Sequence, residues 1–166
     1  MMKAILCADR EWGIGKDNKL LFSLPTDMKF FRQTTQGGVV VMGKNTLLSF
    51  PNAKPLKNRV NIVLSASLER ADCTVVRSLG ELKGALAKYP ALPVWVLGGG
   101  KVYRLLLPYC AEVLVTRVDA VGGADTFFPD LDNDENFVLK THGETQRENG
   151  LSFRFDTYCN QRLQTL

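Results

Sequence analysis

Asp27 lies in Leu24-Pro25-Thr26-Asp27-Met28-Lys29-Phe30-Phe31, a segment whose spacing could make a carboxylate do chemistry. Pro suits the first turn of a helix. On such a helix Asp27 and Phe31 stand at i and i+4, and Met28 and Phe31 at i and i+3, so acid and apolar side chains share a face. The residues alone leave two readings open. Asp27 is either a solvated first-turn acid that favours the helix dipole or a carboxylate at the rim of an apolar pocket that raises its pKa.

Two further segments have the form strand, glycine, helix. Val94-Trp95-Val96-Leu97 runs into Gly98-Gly99-Gly100 and then Lys101-Val102-Tyr103. Glycines there allow close backbone approach, and a helix start favours anions. The run lacks the G-x-G-x-x-G spacing, so an ordinary Rossmann dinucleotide site is not supported. Val39-Val40-Val41-Met42 leads into Gly43-Lys44-Asn45-Thr46, with a cation and a hydroxyl at the helix start. Either turn could be structural only; together they suit a ligand with separated phosphates. The segment Trp12-Gly13-Ile14-Gly15-Lys16-Asp17-Asn18-Lys19-Leu20-Leu21-Phe22 reads as a surface loop or as a lid that excludes water.

The elements that must position these residues are short and punctuated by Gly, Pro and Asn. Strands are expected at Met2–Ala8, Val39–Met42, Val60–Leu64, Thr74–Val76, Val94–Leu97, Val113–Val118, Phe137–His142 and Ser152–Cys159. Several are continuous Val/Ile/Leu runs, the pattern of strands buried on both faces. Helices are expected at Pro25–Gln36, Lys44–Ser49, Leu79–Lys88 and Lys101–Leu107. Ser78 followed by Glu81 is a capping box for the third. Alternating strands and helices predict a mainly parallel α/β sheet. The last two strands, joined through the polar stretch Gly143–Gly150, predict an antiparallel hairpin at one edge.

With 166 residues, 45% hydrophobic and 23% charged, the chain suits one domain with a sizeable core. A net charge of +4 fits an anionic small ligand and falls short of a nucleic-acid binder. Cys7, Cys73, Cys110 and Cys159 include no C-x-x-C pair, and His142 is the only histidine, which argues against zinc and for a reducing compartment. No apolar run approaches the ~18 residues of a membrane span, nor does the N-terminus read as a signal peptide. A soluble, cytoplasmic protein is the expectation.

In order, Ile14-Gly15, Leu24-Pro25-Thr26-Asp27, Met42-Gly43-Lys44-Asn45-Thr46, Leu56-Lys57-Asn58-Arg59, Leu97-Gly98-Gly99-Gly100-Lys101-Val102-Tyr103 and Asp125-Thr126-Phe127-Phe128-Pro129 resemble the motifs of the dihydrofolate reductases. The resemblance covers essentially the whole chain. It implies a single domain over 1–166: an eight-stranded, mainly parallel sheet with an antiparallel C-terminal strand and four helices. It also implies a monomer that transfers hydride from NADPH to 7,8-dihydrofolate, giving the tetrahydrofolate of one-carbon metabolism, and that is open to antifolate inhibitors. Nucleic-acid and membrane partners are not expected.

The same resemblance implies residue roles. Asp27 would accept two hydrogen bonds from the pteridine, supported by Thr116, with Leu20 and Phe22 flanking the water path. Ile5 and Leu97 would present backbone carbonyls to a 4-amino group, near Tyr103. Met28, Phe31, Phe50 and Leu56 would clamp the aminobenzoyl ring, and Arg59 would pair with the α-carboxylate of the glutamate tail. Toward NADPH, Cys7 and Ile14 would lie near the nicotinamide. Gly98, Gly99, Gly100, Lys101 and Val102 would hold the pyrophosphate, with a cis peptide between the first two glycines. Lys44, Thr46, Ser65 and Arg77 would surround the adenosine phosphates, and Gly15, Asn18, Leu20, Gly43, Asn45, Ser49, Leu64, Ala66, Leu97, Tyr103 and Thr126 would complete the cofactor site. No metal is implied.

The chain departs from the family pattern at a few places. Leu21-Phe22 replaces Pro-Trp, which removes an indole donor beside the pteridine. Lys44 replaces Arg, Leu47 a Trp, Ser65-Ala66 a serine pair, and Ala124 a Gly in the loop that supports the lid. A related reductase of the same fold would not need Asp27 and Arg59, and a non-catalytic nucleotide binder would be expected to lose Asp27 or the triple glycine. All are present.

Overall fold

A computed structural model describes residues 1–166. In chain order the strands are β1 (Met2–Ala8), β2 (Gly13–Gly15), β3 (Val39–Gly43), β4 (Val60–Leu64), β5 (Thr74–Val76), β6 (Val94–Gly98), β7 (Cys110–Val118), β8 (Thr126–Phe127), β9 (Phe137–Thr141), β10 (Gln146–Glu148) and β11 (Leu151–Asn160). The helices are α1 (Pro25–Thr35), α2 (Lys44–Ser49), α3 (Leu79–Leu86) and α4 (Gly100–Leu106).

The main sheet runs β10-β11-β7-β1-β6-β3-β4-β5, with β9 also on β11. From β7 to β5 every pairing is parallel; β11 alone reverses direction against β7. β9 and β10 are two pieces of one edge. Both run antiparallel to β11, one along Thr157–Asn160 and the other along Leu151–Phe153. Counted as one edge, they make up the eight strand positions the resemblance implies. The edge breaks where Gly143 crosses β11: its N–H donates to Asp156 at 3.1 Å, and a Cβ there would meet the Phe155 carbonyl at 2.3 Å. The reversal into β11 is not the whole Gly143–Gly150 stretch. It is the Asn149-Gly150 pair, both with positive φ, the geometry of a tight hairpin turn.

Alternation divides the core between the two faces. Val39 and Val41 of β3 pack with Leu82, Val102 and Leu106 on the α3/α4 side, while Val40 and Met42 pack with Leu47 and Phe31 on the α1/α2 side. All five residues of β3 are buried, as the continuous apolar run predicts. Ser78 caps α3 as expected, its Oγ accepting from Glu81 N–H at 3.1 Å. The Glu81 carboxylate reaches back one residue further, to Arg77 N–H at 2.6 Å.

The segment after β1 is only partly a surface loop. β2 pairs with β8 in a small ribbon, and Trp12 is buried between Phe128, Tyr158 and the guanidinium of Arg117, which stacks on its ring at 4.0 Å. Ala124 departs from the family glycine, and the residue facing it is Gly13: a Cβ on Gly13 would lie 2.5 Å from the Ala124 methyl. One small side chain fills the gap from the opposite wall.

Candidate active site

The pairing of β1 with β6 ends at Ala4↔Val96. Beyond it the two strands part, and a cleft of about 480 Å³ opens at their C-terminal ends. Ligands of open α/β sheets bind in such crevices. The Tyr103 hydroxyl sits at the fork, 2.7 Å from the Ile5 carbonyl and 2.8 Å from that of Leu97. It has one proton, so it satisfies one carbonyl at a time and leaves acceptor capacity facing the cleft.

Asp27 lies in the first turn of α1. Thr116 on β7 donates its hydroxyl to Asp27 Oδ1 at 2.6 Å. Cys7 is Thr116's register partner on β1, so both side chains rise from one face of the sheet toward the acid. Burial pushes the Asp27 pKa up; the bonds from Thr116 and Cys7 pull it back, and the charge of Glu148 adds to the rise. The Asp27 carboxyl thus lines the apolar cleft and does not stand on a fully solvated helix face. Burial, and then the Asp27 charge, push the Cys7 thiol far above its ordinary range, so it stays a neutral S–H.

Apolar residues dominate the rest of the cleft wall. Met28 and Phe31 from α1, Phe50 and Leu56 beyond α2, and Ile5 and Leu97 from the sheet enclose one end. Ile14, Gly15 and Thr126 from the ribbon, with Asn18 and Leu20 from the segment that follows β2, also line the cleft. Leu20 and Met28 are 63% and 51% exposed, so the mouth carries apolar surface that a ligand would cover. The ribbon is tied down by Asp125, whose carboxylate accepts from Asp17 N–H at 3.0 Å and whose own N–H donates to Gly15 at 2.9 Å. Phe22 does not reach the main cleft. It lines a small adjoining hollow of about 10 Å³ with Asp27, Cys7 and Leu21, room for about one water.

A second set of residues can hold phosphates. α2 and α4 start at Gly43 and Gly99, and neither glycine can cap with a side chain, so first-turn N–H groups remain for an anion. The Gly98–Gly99 peptide is cis, and Gly98 has φ +114°, with the Tyr103 ring where a Cβ would be. A Cβ on Gly99 would project toward Thr46 Oγ1 at 3.6 Å, into the gap between the two helix starts. Thr46, Ser49 and Gly99 line the cleft.

The remaining expected residues stand further out. Gly43, Leu64, Gly98, Gly100 and Val102 support the walls from outside the cleft lining. Lys44, Asn45, Ala66 and Lys101 are exposed beside it. Arg77 donates to the Ser65 carbonyl at 2.9 Å, which brings these two together past the end of β4. Arg59 is not part of the cleft lining; it lies three residues past the lining Leu56, with Nε donating to Lys57 O at 2.9 Å and Nη1 to Thr35 Oγ1 at 3.1 Å. Leu6, Lys19 and Pro51 line the cleft unannounced by any motif. Glu148 was also missed. It binds the backbone and side chain of Thr26 from 122 residues away, and no local pattern signals a contact of that separation.

The chain matches the family model described as dihydrofolate reductase over residues 1–160. It is 32% identical to the dihydrofolate reductase of Bacillus subtilis, covering 95% of this chain and 94% of that protein. It is 34% identical to the bifunctional dihydrofolate reductase-thymidylate synthase of Glycine max, but spans only 34% of that protein's length. Its fold superposes on an Enterococcus faecalis dihydrofolate reductase complexed with NADP(H) and RAB-propyl, with a TM-score of 0.85, 29% identity and 96% of each chain covered. A family match over residues 1–160 and correspondence over 95% of this chain and 94% of the Bacillus subtilis enzyme lead to one conclusion: this chain belongs to the dihydrofolate reductase family.

Proposed function

We propose that this chain catalyses reduction of 7,8-dihydrofolate to 5,6,7,8-tetrahydrofolate with NADPH and one proton, releasing NADP+. The observation that carries the reading is Asp27: a single carboxylate at the inner end of an apolar cleft, anchored by Thr116 at 2.6 Å. Two oxygens in a plane match the 2-amino and N3 donors of a pteridine, and a charge-assisted pair fixes ring orientation. The negative charge also favours a proton on the substrate's N5, where a low-dielectric wall strengthens it. The one-water hollow between Asp27 and Phe22 suits delivery of that proton from solvent. Phe22 cannot donate, so the water there is held from the Asp27 side.

The other residues position and exclude. Met28, Phe31, Phe50 and Leu56 sandwich the aminobenzoyl ring, Arg59 takes the glutamate α-carboxylate, and the Ile5 and Leu97 carbonyls accept from the ring edge. The donor set on the opposite side fits NADPH: bare helix starts at Gly43 and Gly99, the Thr46 hydroxyl, and the cations Lys44 and Arg77 for a 2′-phosphate. Bound there, NADPH supplies the hydride that reduces the pteridine. Cys7, Ile14 and Leu20 border the place of transfer and keep bulk water out.

The sheet is continuous from β5 to the broken edge, which supports one catalytic domain over 1–166; a monomer is the proposed state. No helix is long and apolar enough to cross a membrane. The four free thiols suit a reducing cytoplasm. Small-molecule ligands are the proposed partners: dihydrofolate and antifolates, with no nucleic acid or membrane. The test is NADPH oxidation followed by absorbance with and without dihydrofolate. A rate that does not depend on dihydrofolate refutes the assignment.

A further inference from the structure

Helix α1 begins without its own cap. The residue before it is Leu24, whose side chain has no acceptor, and Pro25 has no N–H. The first backbone donor of the helix is therefore Thr26. Glu148, on the short strand β10 beside the Asn149-Gly150 turn, takes it: Oε1 accepts from Thr26 N–H at 2.9 Å and Oε2 from the Thr26 hydroxyl at 2.6 Å. The next residue adds a third tie, as Asn149 Nδ2 donates to the Ser23 carbonyl at 3.1 Å. The hairpin tip thus grips both sides of the helix start, one residue before the acid. We propose that Glu148 is a positioning residue for the reductase site: by capping α1 from the far hairpin it fixes the turn that aims Asp27 at the substrate.

The role rests on the reading of Asp27 given above. Two bonds to one residue define the orientation of Thr26, and the Asp27 backbone follows directly. A carboxylate also complements the positive end of the helix. Its bonds to Thr26 hold the Glu148 pKa below the ordinary value, so it stays charged at neutral pH. Asp27 then faces three groups from three strands: Thr116 on β7 and Cys7 on β1, both donors, and the charge of Glu148 on β10. Glu148 holds the acid's frame and also favours its protonated form.

The test uses the whole chain and two readouts. One is the pH titration of the Asp27 side-chain carboxyl by 13C NMR in the free protein. The other is steady-state kcat and KM for dihydrofolate. Glu148→Gln keeps an acceptor for Thr26 N–H and removes the charge. The Asp27 midpoint is expected to fall, with kcat within about twofold of the parent. Glu148→Ala removes the grip, and kcat is expected to fall about 5- to 10-fold, more than KM rises. Thr26→Val, which loses one arm, is expected to lie between, and combined with Glu148→Ala to cost less than the sum.

A folded Glu148→Ala with parental kcat, KM and Asp27 midpoint overturns the proposal, as does a loss of thermal stability with no change in these. Should Glu148→Ala not fold, Thr26→Val decides it: a fall in kcat larger than the rise in KM supports the role, and parental kcat and KM refute it. Should the parent lack dihydrofolate turnover, the functional reading fails while the NMR titration still judges the link between Glu148 and Asp27.

Discussion

Arg59→Leu should weaken substrate binding while leaving turnover nearly intact. Arg59 immediately precedes β4, three residues past the cleft-lining Leu56, and its bonds to Lys57 O and Thr35 Oγ1 use Nε and one hydrogen of Nη1. The Nη2 group and the second Nη1 hydrogen remain as an end-on fork for a carboxylate. No acid of the chain pairs with this guanidinium, and burial, with the neighbouring charge of Arg32, disfavours its charge. An anionic ligand group would supply the missing counter-charge. A bidentate charge-assisted pair is worth about 1.5–3 kcal/mol; partial exposure puts this one near the lower end. At about 1.4 kcal/mol per decade, KM for dihydrofolate rises about 10- to 30-fold. The glutamate tail is remote from the reacting ring, so kcat stays within about threefold. The fold survives, because Thr35 Oγ1 still donates to the Phe31 carbonyl at 2.9 Å. Arg59→Lys should fall between, keeping charge without the fork. Steady-state kinetics check it. A kcat that drops by the same factor as KM rises, or an unchanged KM, refutes the placement of the tail.

Asp27→Asn should cut turnover at neutral pH by about 100-fold or more, with partial recovery as the medium is acidified and more substrate is already protonated; parental rates across pH would exclude the role. The same variant should be more stable than the parent at pH 7. The folded-state pKa of Asp27 is raised, so the fold binds its proton more tightly than the unfolded chain, and stability is lost as pH rises above the ordinary Asp range. The difference in Tm should vanish on acidification to about pH 3, below the unfolded Asp value. Arg77→Leu should lower the preference for NADPH over NADH about tenfold, read as the ratio of kcat/KM values; an unchanged ratio places the 2′-phosphate elsewhere. Gly13→Ala should destabilise by about 1–3 kcal/mol, because its methyl would press on Ala124 and on the Asp9 carboxylate at 2.5 and 2.8 Å, and Ala124→Gly should recover part of the loss. Absence of recovery in a chemical denaturation series would show that Asp9, not Ala124, sets the limit.

Much of the scaffold was legible because local physics decides it. β1, β4 and β5 begin and end where the apolar runs do, and Ser78 with Glu81 announces the start of α3. Helix ends moved by a residue or two, the scale on which terminal turns fray: α4 opens at Gly100 rather than Lys101, and α3 ends at Leu86 rather than Lys88. β7 begins at Cys110, three residues before the expected Val113, since pairing with β1 extends the strand through Cys110-Ala111-Glu112. Asn149-Gly150 carried a hairpin signal that the long polar connection obscured.

The sequence by itself determined which segments become strands and helices, and, through six ordered motifs, which family they resemble. Those follow from periodicity, caps and glycines acting over a few residues. The tertiary structure decided what the motifs do. Asp27 reads locally as a helix-start acid; only the fold brings Thr116 from 89 residues away and Glu148 from 121, and buries the carboxylate between them. Trp12 reads as part of a surface loop, and only packing against Phe128, Tyr158 and the Arg117 guanidinium makes it core. Burial and long-range partners set the proton affinity and orientation of a side chain. Neither has a local signature, because each depends on residues that the chain brings together only by folding.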